Sequence, residues 1–345
     1  MRTNFRQMFL ATTFLFSLMS LCVASASAQG TIHWNKPAQF DDGMQTQAAI
    51  NSSGLVIEFH TSQAGYGLWY HVGRLTQYGQ SVQWGPSQDI ERTGSDRPQW
   101  PTVALTNDNY VILSYSDAVD RPVGRLRYRV GKLDPTGPVQ QSIQWLTEDQ
   151  QYDTGFHSNI SVDSNGVIVE VHESDADSGL FYRIGHLENP AEEKYNIVWD
   201  TGTGGVRYDN GVNPHVSVND RNQVVEMHQT KGGESRLHYR RGVLQSSSTI
   251  AFTNSELYST SAYEPAVVLT NRDEVFALSQ NASIYSDSGI FHAYDPSLIW
   301  WKGRTAMRDG ATGRYPGLGT NGNYLIATWN RDGKLYYVTA LVPLN

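Results

Sequence analysis

The sequence predicts an all-β fold of six repeats closed into a ring, and three observations predict it. Residues 208–244, YDNGVNPHVSVNDRNQVVEMHQTKGGESRLHYRRGVL, are the clearest copy of a unit that returns at 152–187 and at 40–75. Such a period fixes architecture before any finer signal is read. Each unit carries four short alternating apolar runs bounded by Gly, Asn, Asp and Ser, and no stretch keeps apolar residues at a helical spacing. The last unit ends without its fourth run, while a run of the same kind, TIHW (31–34), stands ahead of the first unit.

The first runs are TQAAI (46–50), PTVAL (101–105), SNISV (158–162), PHVSV (214–218), PAVVL (265–269) and YPGLG (315–319). A turn follows each: NSSG (51–54), TNDN (106–109), DSNG (163–166), NDRN (219–222), TNRD (270–273) and TNGN (320–323). Asn, Asp and Gly accept positive φ, so these read as hairpin turns joining the first run to the second. Third runs begin near Leu68, Leu126, Leu180, Leu237, Ile290 and Leu335, and fourth runs end near Trp84, Trp145, Trp199, Phe252 and Trp300. Six units of roughly 50 residues with four strands each are the blades of a β-propeller. The 31–34 strand is expected to complete the sixth blade, which closes the ring and leaves only short protected edges.

Residues 1–28 read as a separate object. Arg2 and Arg6 precede an apolar run from Met8 to about Val23, and Ala26-Ser27-Ala28 closes it as a cleavage signal. A secretory leader is expected here, with residues 29–345 a single propeller domain, extracellular or periplasmic and without a membrane span. Cys22, the only cysteine, lies in the leader, so the remainder must be held by core packing without disulfides. The chain has 26 basic against 34 acidic residues and no basic run, which argues against nucleic acid as a partner. Nine Trp and 19 Tyr against 17% charged residues suit aromatic-lined surfaces.

Three units share E-x-H in the second run: Glu58/His60, Glu170/His172 and Glu226/His228. Residues two apart on a strand face one side. The third run carries Tyr70, Tyr182 and Tyr239, with Arg183 and Arg240 following the latter two. A simple hairpin over 173–179 sets Glu170 across from Tyr182, so Glu, His and Tyr share the side of the blade that meets a neighbour. In the fourth unit the connection is one residue longer, and a bulge is expected there. Units two, five and six have lost the pair. One reading is a sugar pocket between blades, repeated and of low affinity. The other, given more weight, is a hydrogen-bonded strut across a buried seam.

A second motif, Y-D-x-G, appears as 40–43 (with Phe40), 152–155 and 208–211, with Arg308-Asp309-Gly310 as a relic. It is expected on the loop from one blade to the next, with Asp42, Asp153 and Asp209 as secondary candidates. An Asx-type turn, in which Asp bonds its own backbone and Gly supplies positive φ, is the reading given more weight. No metal or other cofactor is expected, because E-x-H lacks a third ligand nearby within the unit. No G-x-S-x-G, H-E-x-x-H or phosphate-loop motif is present. Three near-equivalent Glu residues argue against one catalytic centre, which needs an asymmetric pair of carboxylates. Asn51, Asn159 and Asn281 begin N-x-S/T sequons.

With six units, W/Y-rich strands and one Glu with one His or Arg in several of them, the chain resembles repeat-built secreted β-propeller lectins. The sialidase box S-x-D-x-G-x-T-W is absent. The resemblance implies glycan partners held between blades by Glu58, Glu170, Glu226 and their His, Tyr and Arg neighbours. A polysaccharide-active enzyme, hydrolase or lyase, and a protein-interaction scaffold are the alternatives.

Overall fold

A computed structural model describes residues 32–65, 67–90, 98–117, 124–174, 177–188, 195–232, 234–291, 299–307 and 312–343, and residues 32–342 form one compact unit. The expected leader and Arg308-Asp309-Gly310 lie outside the described residues. Six antiparallel sheets follow one another along this unit, each opening on its innermost strand: Met44–Ile50, Pro98–Leu105, Phe156–Val162, Val212–Val218, Tyr263–Leu269 and Arg314–Thr320. The fold is an all-β, six-bladed propeller. Among the described residues no helix is long and apolar enough to cross a membrane.

The turns between first and second strands behave as their composition requires. Gly54, Asn109, Gly166, Asn222 and Asp273 all take positive φ, between 61° and 85°, the torsion Asn, Asp and Gly tolerate best. Neighbouring turns are also tied together. Ser52 N–H donates to Asn107 Oδ1, Ser164 N–H to Asp220 Oδ1, Asp220 N–H to Asn271 Oδ1, and the Asn321 amide to Asn51 O.

The outer position of blades one to four is filled by two short pieces in succession. In blade three Ile197–Trp199 and Val206–Asn210 both pair with Gly179–Leu187. The first piece ends in an aromatic opposite a glycine: Trp84 on Gly73, Trp145 on Gly131, Trp199 on Gly185, Phe252 on Gly242. The glycine is obligatory, since a Cβ on Gly73 would sit 2.7 Å from the Trp84 ring.

The ring closes by the same two-piece device. Trp34 bridges to Ala340, and Ala38–Asp42 pairs with Lys334–Leu341. The closing segment is therefore longer than the expected 31–34 run, of whose described residues Trp34 alone pairs. Most of the pairing falls on residues that the sequence presents as the start of the first unit. The first three residues of each described Y-D-x-G copy likewise end the preceding blade's outer strand, and only its glycine forms the connection to the next blade.

Six apolar clusters hold the blades, each built from two consecutive blades. The cluster across the closure joins Ala48, Ile50, Val56 and Val82 of blade one to Ile326 and Tyr337 of blade six, with Phe40 against it. The closing junction is thus packed like the others.

Candidate functional site

Alternation along the second strand of blade three turns Val169 and Val171 into packing and Glu170 and His172 to the other side. Glu170 Oε1 accepts the Tyr152 hydroxyl at 2.9 Å, and His172 Nδ1 lies 3.0 Å from Glu170 Oε2. His172 Nε2 is 3.7 Å from Asp153 Oδ2, which accepts Arg183 Nε at 2.7 Å. The remaining Arg183 donors reach the Gly202 and Thr203 carbonyls. Blade four repeats the arrangement with Tyr208, Glu226, His228, Asp209 and Arg240. The two motifs are therefore one network, shared between the outer strand of one blade and the next blade. Its glycine is set by close approach: a Cβ on Gly211 would lie 2.8 Å from the His228 ring, and one on Gly155 would overlap the Glu173 carbonyl oxygen.

Glu58, Glu170 and Glu226 are all 0% exposed. Burial alone would lower the pKa of His172 and His228, but the charge and hydrogen bond of Glu170 or Glu226 outweigh it and hold both above the usual histidine value. Burial, reinforced by the same carboxylates, pushes the Tyr152 and Tyr208 phenols well up. Burial opposes ionisation of Asp209, yet the Arg240 and Asn210 hydrogen bonds keep its carboxyl low.

The expected Glu–Tyr pairing is corrected by one residue. Glu170 pairs with Arg183 and Val171 with Tyr182; Glu226 pairs with Arg240 and Met227 with Tyr239. A one-residue slip moves every side chain to the other face, so Tyr70, Tyr182 and Tyr239 point away from the E-x-H pairs. In blade four the extra residue stays in the loop, and the second and third strands pair without a bulge. Tyr337, Tyr70, Tyr128 and Tyr182 do repeated work of their own. Each hydroxyl accepts a backbone N–H from the next blade's outer strand or its approach: Val82, Ile143, Ile197 and Ile250 respectively.

Blade one departs from this pattern. Phe40 replaces the tyrosine, and Thr46 Oγ1 donates to Glu58 instead, at 2.6 Å. Asp41, not Asp42, holds the place of Asp153 and Asp209, while Asp42 is an exposed partner of Lys334. His71 stands where blades three and four have arginine, and Asp41, His60 and His71 bring three potential ligand atoms within 4.8 Å of one another. Of the E-x-H pair only His60 belongs to this group, and its two companions arrive from other strands.

A different constellation, with no repeated motif to announce it, lies at the start of the first strands. Gln45, Trp100, His157, Asn213, Glu264 and Tyr315 hold the same place in six consecutive blades, all with φ between 45° and 54°. Each sits at a one-residue irregularity between the first and second strands. Left-handed torsions cost a non-glycine residue about 1–3 kcal/mol and persist where the surroundings impose them. Here neighbours do so. Trp100 N–H donates to Gln45 Oε1 at 3.0 Å, Asn213 N–H to Glu173 Oε2 at 3.2 Å, and Tyr315 N–H to Glu264 Oε2 at 2.7 Å. His157 Nδ1 lies 2.6 Å from Glu173 Oε1, and its ring centroid is 4.1 Å from that of Trp100. Burial raises the Glu264 pKa against the Tyr315 hydrogen bond and the charges of Arg314 and His157. Burial and the Glu264 charge raise Tyr315.

Two residues further along, Gln47 of blade one and His215 of blade four meet across the centre at 3.2 Å. Val267 N–H donates to His215 Nδ1, which leaves the ring proton on Nε2, the nitrogen that faces the Gln47 carboxamide nitrogen. Burial drives the His215 pKa down to about 3. Toward the turns lies a cavity of about 470 Å³ walled by the first strands of all six blades. The ring of strained residues is on the opposite side of the Gln47–His215 contact.

No protein-family model matches this sequence, and no curated protein matches it either. Solved structures match by fold. The GH93 α-L-arabinofuranosidase of Fusarium graminearum, in complex with arabinobiose, is 11% identical, with a TM-score of 0.56 over 90% of this chain and 98% of that one. The α-L-arabinanase of Penicillium chrysogenum, also complexed with arabinobiose, is 10% identical, with a TM-score of 0.55 over 91% and 99%. The Trypanosoma rangeli sialidase, in complex with the inhibitor DANA, is 10% identical, with a TM-score of 0.58 over 87% of this chain and 55% of that one. At these identities the likeness is one of fold: the chain is similar to six-bladed propellers.

Proposed function

We propose that the protein is a secreted, carbohydrate-active propeller that cleaves a glycosidic bond at the ring of strained residues. One observation carries the reading. Six blades present six different side chains at one backbone position, three of them titratable, at a torsion that costs free energy. A repeated brace would be alike in each blade, whereas chemistry needs unlike groups facing one another. Glycosidic cleavage requires a carboxyl group kept protonated and a second carboxylate. Glu264, whose pKa burial raises, is the proton donor in this reading. Glu173, hydrogen-bonded at both oxygens, is the second carboxylate. Trp100 offers a flat apolar face to a sugar ring. The glycan-processing activities named for the similar folds agree with this substrate class, and a leader at 1–28 would deliver the protein to where such polymers lie.

Glycan recognition between blades, through Glu58, Glu170, Glu226 and their partners, is the lectin reading. Those groups are buried and bonded to one another, so this proposal gives them the part of bracing the blades. A panel of polysaccharides and aryl glycosides separates the two. Release of reducing sugar that Glu264→Gln abolishes and the triple Glu58, Glu170, Glu226→Gln variant retains is the expected result. Glycan capture without turnover, lost only in the triple variant, would replace this proposal with the lectin.

A further inference from the structure

We propose that Asp41, His60 and His71 bind one divalent transition-metal ion of the zinc type, where the closing strand of blade six turns into blade one. Three donor atoms from three strands converge there. Asp41 Oδ2 is 2.8 Å from His71 Nε2 and 3.6 Å from His60 Nε2. Ligands about 2.0–2.1 Å from a tetrahedral zinc stand about 3.3 Å from one another, so a small rotation of Asp41 evens the two distances.

The far side of each imidazole is already committed. His60 Nδ1 lies 3.0 Å from Glu58 Oε2, and His71 Nδ1 lies 2.9 Å from the Gly85 carbonyl oxygen. A carbonyl oxygen only accepts, so His71 carries a proton on Nδ1. A neutral ring then aims its bare Nε2 lone pair at the Asp41 carboxylate, which is repulsive unless a cation stands between them. Metal-bound histidines show this outer arrangement, with the second nitrogen donating to a carboxylate or a backbone carbonyl.

The sister blades show what is missing. Arg183 and Arg240 occupy the equivalent register position and put a permanent positive charge on Asp153 and Asp209. Blade one keeps the two carboxylates, Asp41 and Glu58, and replaces the guanidinium by an imidazole. A bound dication restores the charge that the arginine supplies elsewhere. The imidazole rings are buried, but 27% of the Asp41 side chain is exposed, so an ion can enter from that side and keep a water as its fourth ligand.

Cobalt(II) titration of chelator-treated protein tests the site, with a zinc thermal shift beside it. Wild type is expected to take up one equivalent with the visible bands of tetrahedral cobalt, displaced by zinc, and to gain melting temperature with zinc. His71→Arg, which installs the residue that blades three and four fold around, should lose that equivalent and the thermal response while keeping the native circular dichroism. Asp41→Asn should lose it as well. Retention of the equivalent by either variant, or a wild-type titration no different from that of His71→Arg, overturns the proposal; the latter result assigns the site to a protonated His71 paired with Asp41.

Discussion

Glu264 accepts the backbone N–H of Tyr315, the residue one blade further round at the same ring position. One side chain of the site thus pins the strained backbone of the next. Gln45 does the same for Trp100. At these two positions a change of side chain in one member is felt as a change of support at its neighbour.

Glu264→Gln keeps the oxygen that holds Tyr315 and removes the acid. The fold should persist while turnover falls about 10²–10⁴-fold, the usual contribution of general acid catalysis. Wild-type activity should decline as pH rises through the elevated Glu264 pKa, and kcat/KM profiles should lack that limb in the variant.

Tyr315→Gly places at φ 54° the one residue that bears it freely. Relief of about 1 kcal/mol should offset much of the lost side-chain packing. Urea midpoints are expected to stay close to wild type while glycan turnover drops sharply.

His215 gives an acid-sensitive term. Its folded pKa is lowered to about 3, so the unfolded chain takes up a proton near pH 6.5 that the native state refuses. Stability is fully present above the unfolded value and is lost as pH falls from there toward 3, by about 4–5 kcal/mol at the limit. Comparison of urea unfolding at pH 7 and pH 4 should show this loss in wild type and not in His215→Gln. His172 and His228 act oppositely, since their folded values are raised. Their contribution is present below the unfolded value and disappears as pH rises through the folded one.

Tyr182→Phe strands the Ile250 N–H, and Tyr70→Phe strands that of Ile143. A buried donor without a partner costs about 1–3 kcal/mol. The two changes share no partner, so their effects on unfolding free energy should add.

Trp34→Ala strikes the closure. The indole is buried in the cluster between blades five and six, and its N–H donates to Ser286 Oγ at 3.1 Å. A loss of about 3–5 kcal/mol is expected, with amide exchange accelerating first in 334–341, the strand it helps to cover.

Strand order and blade number were legible because each leaves a periodic trace, alternation and turn residues, while the displaced run showed that an N-terminal segment closes the ring but not that most of the pairing falls on Ala38–Asp42. The networks were half legible. Spacing marked Glu170, His172 and Asp153, but the register that sets Arg183 rather than Tyr182 beside Glu170 is decided by where the 173–179 loop closes, and no residue type encodes that. The repeat that made blades visible hid the strained ring. Gln45, Trp100, His157, Asn213, Glu264 and Tyr315 share a torsion and nothing else, so a search for likeness passes over them. What unites them is a one-residue irregularity early in each first strand, which only the strand register displays.

The near-uniform torsion of that ring has an evolutionary reading. Six sockets share one backbone geometry, and where an occupant does not pin its neighbour, as Gln45 and Glu264 do, its side chain can be exchanged without rebuilding the frame. A residue that proves useful in one blade could be tried in another by a single codon change, arriving at a like angle but turned about the central axis. New substrate preferences could therefore arise by permuting occupants, with the scaffold left untouched.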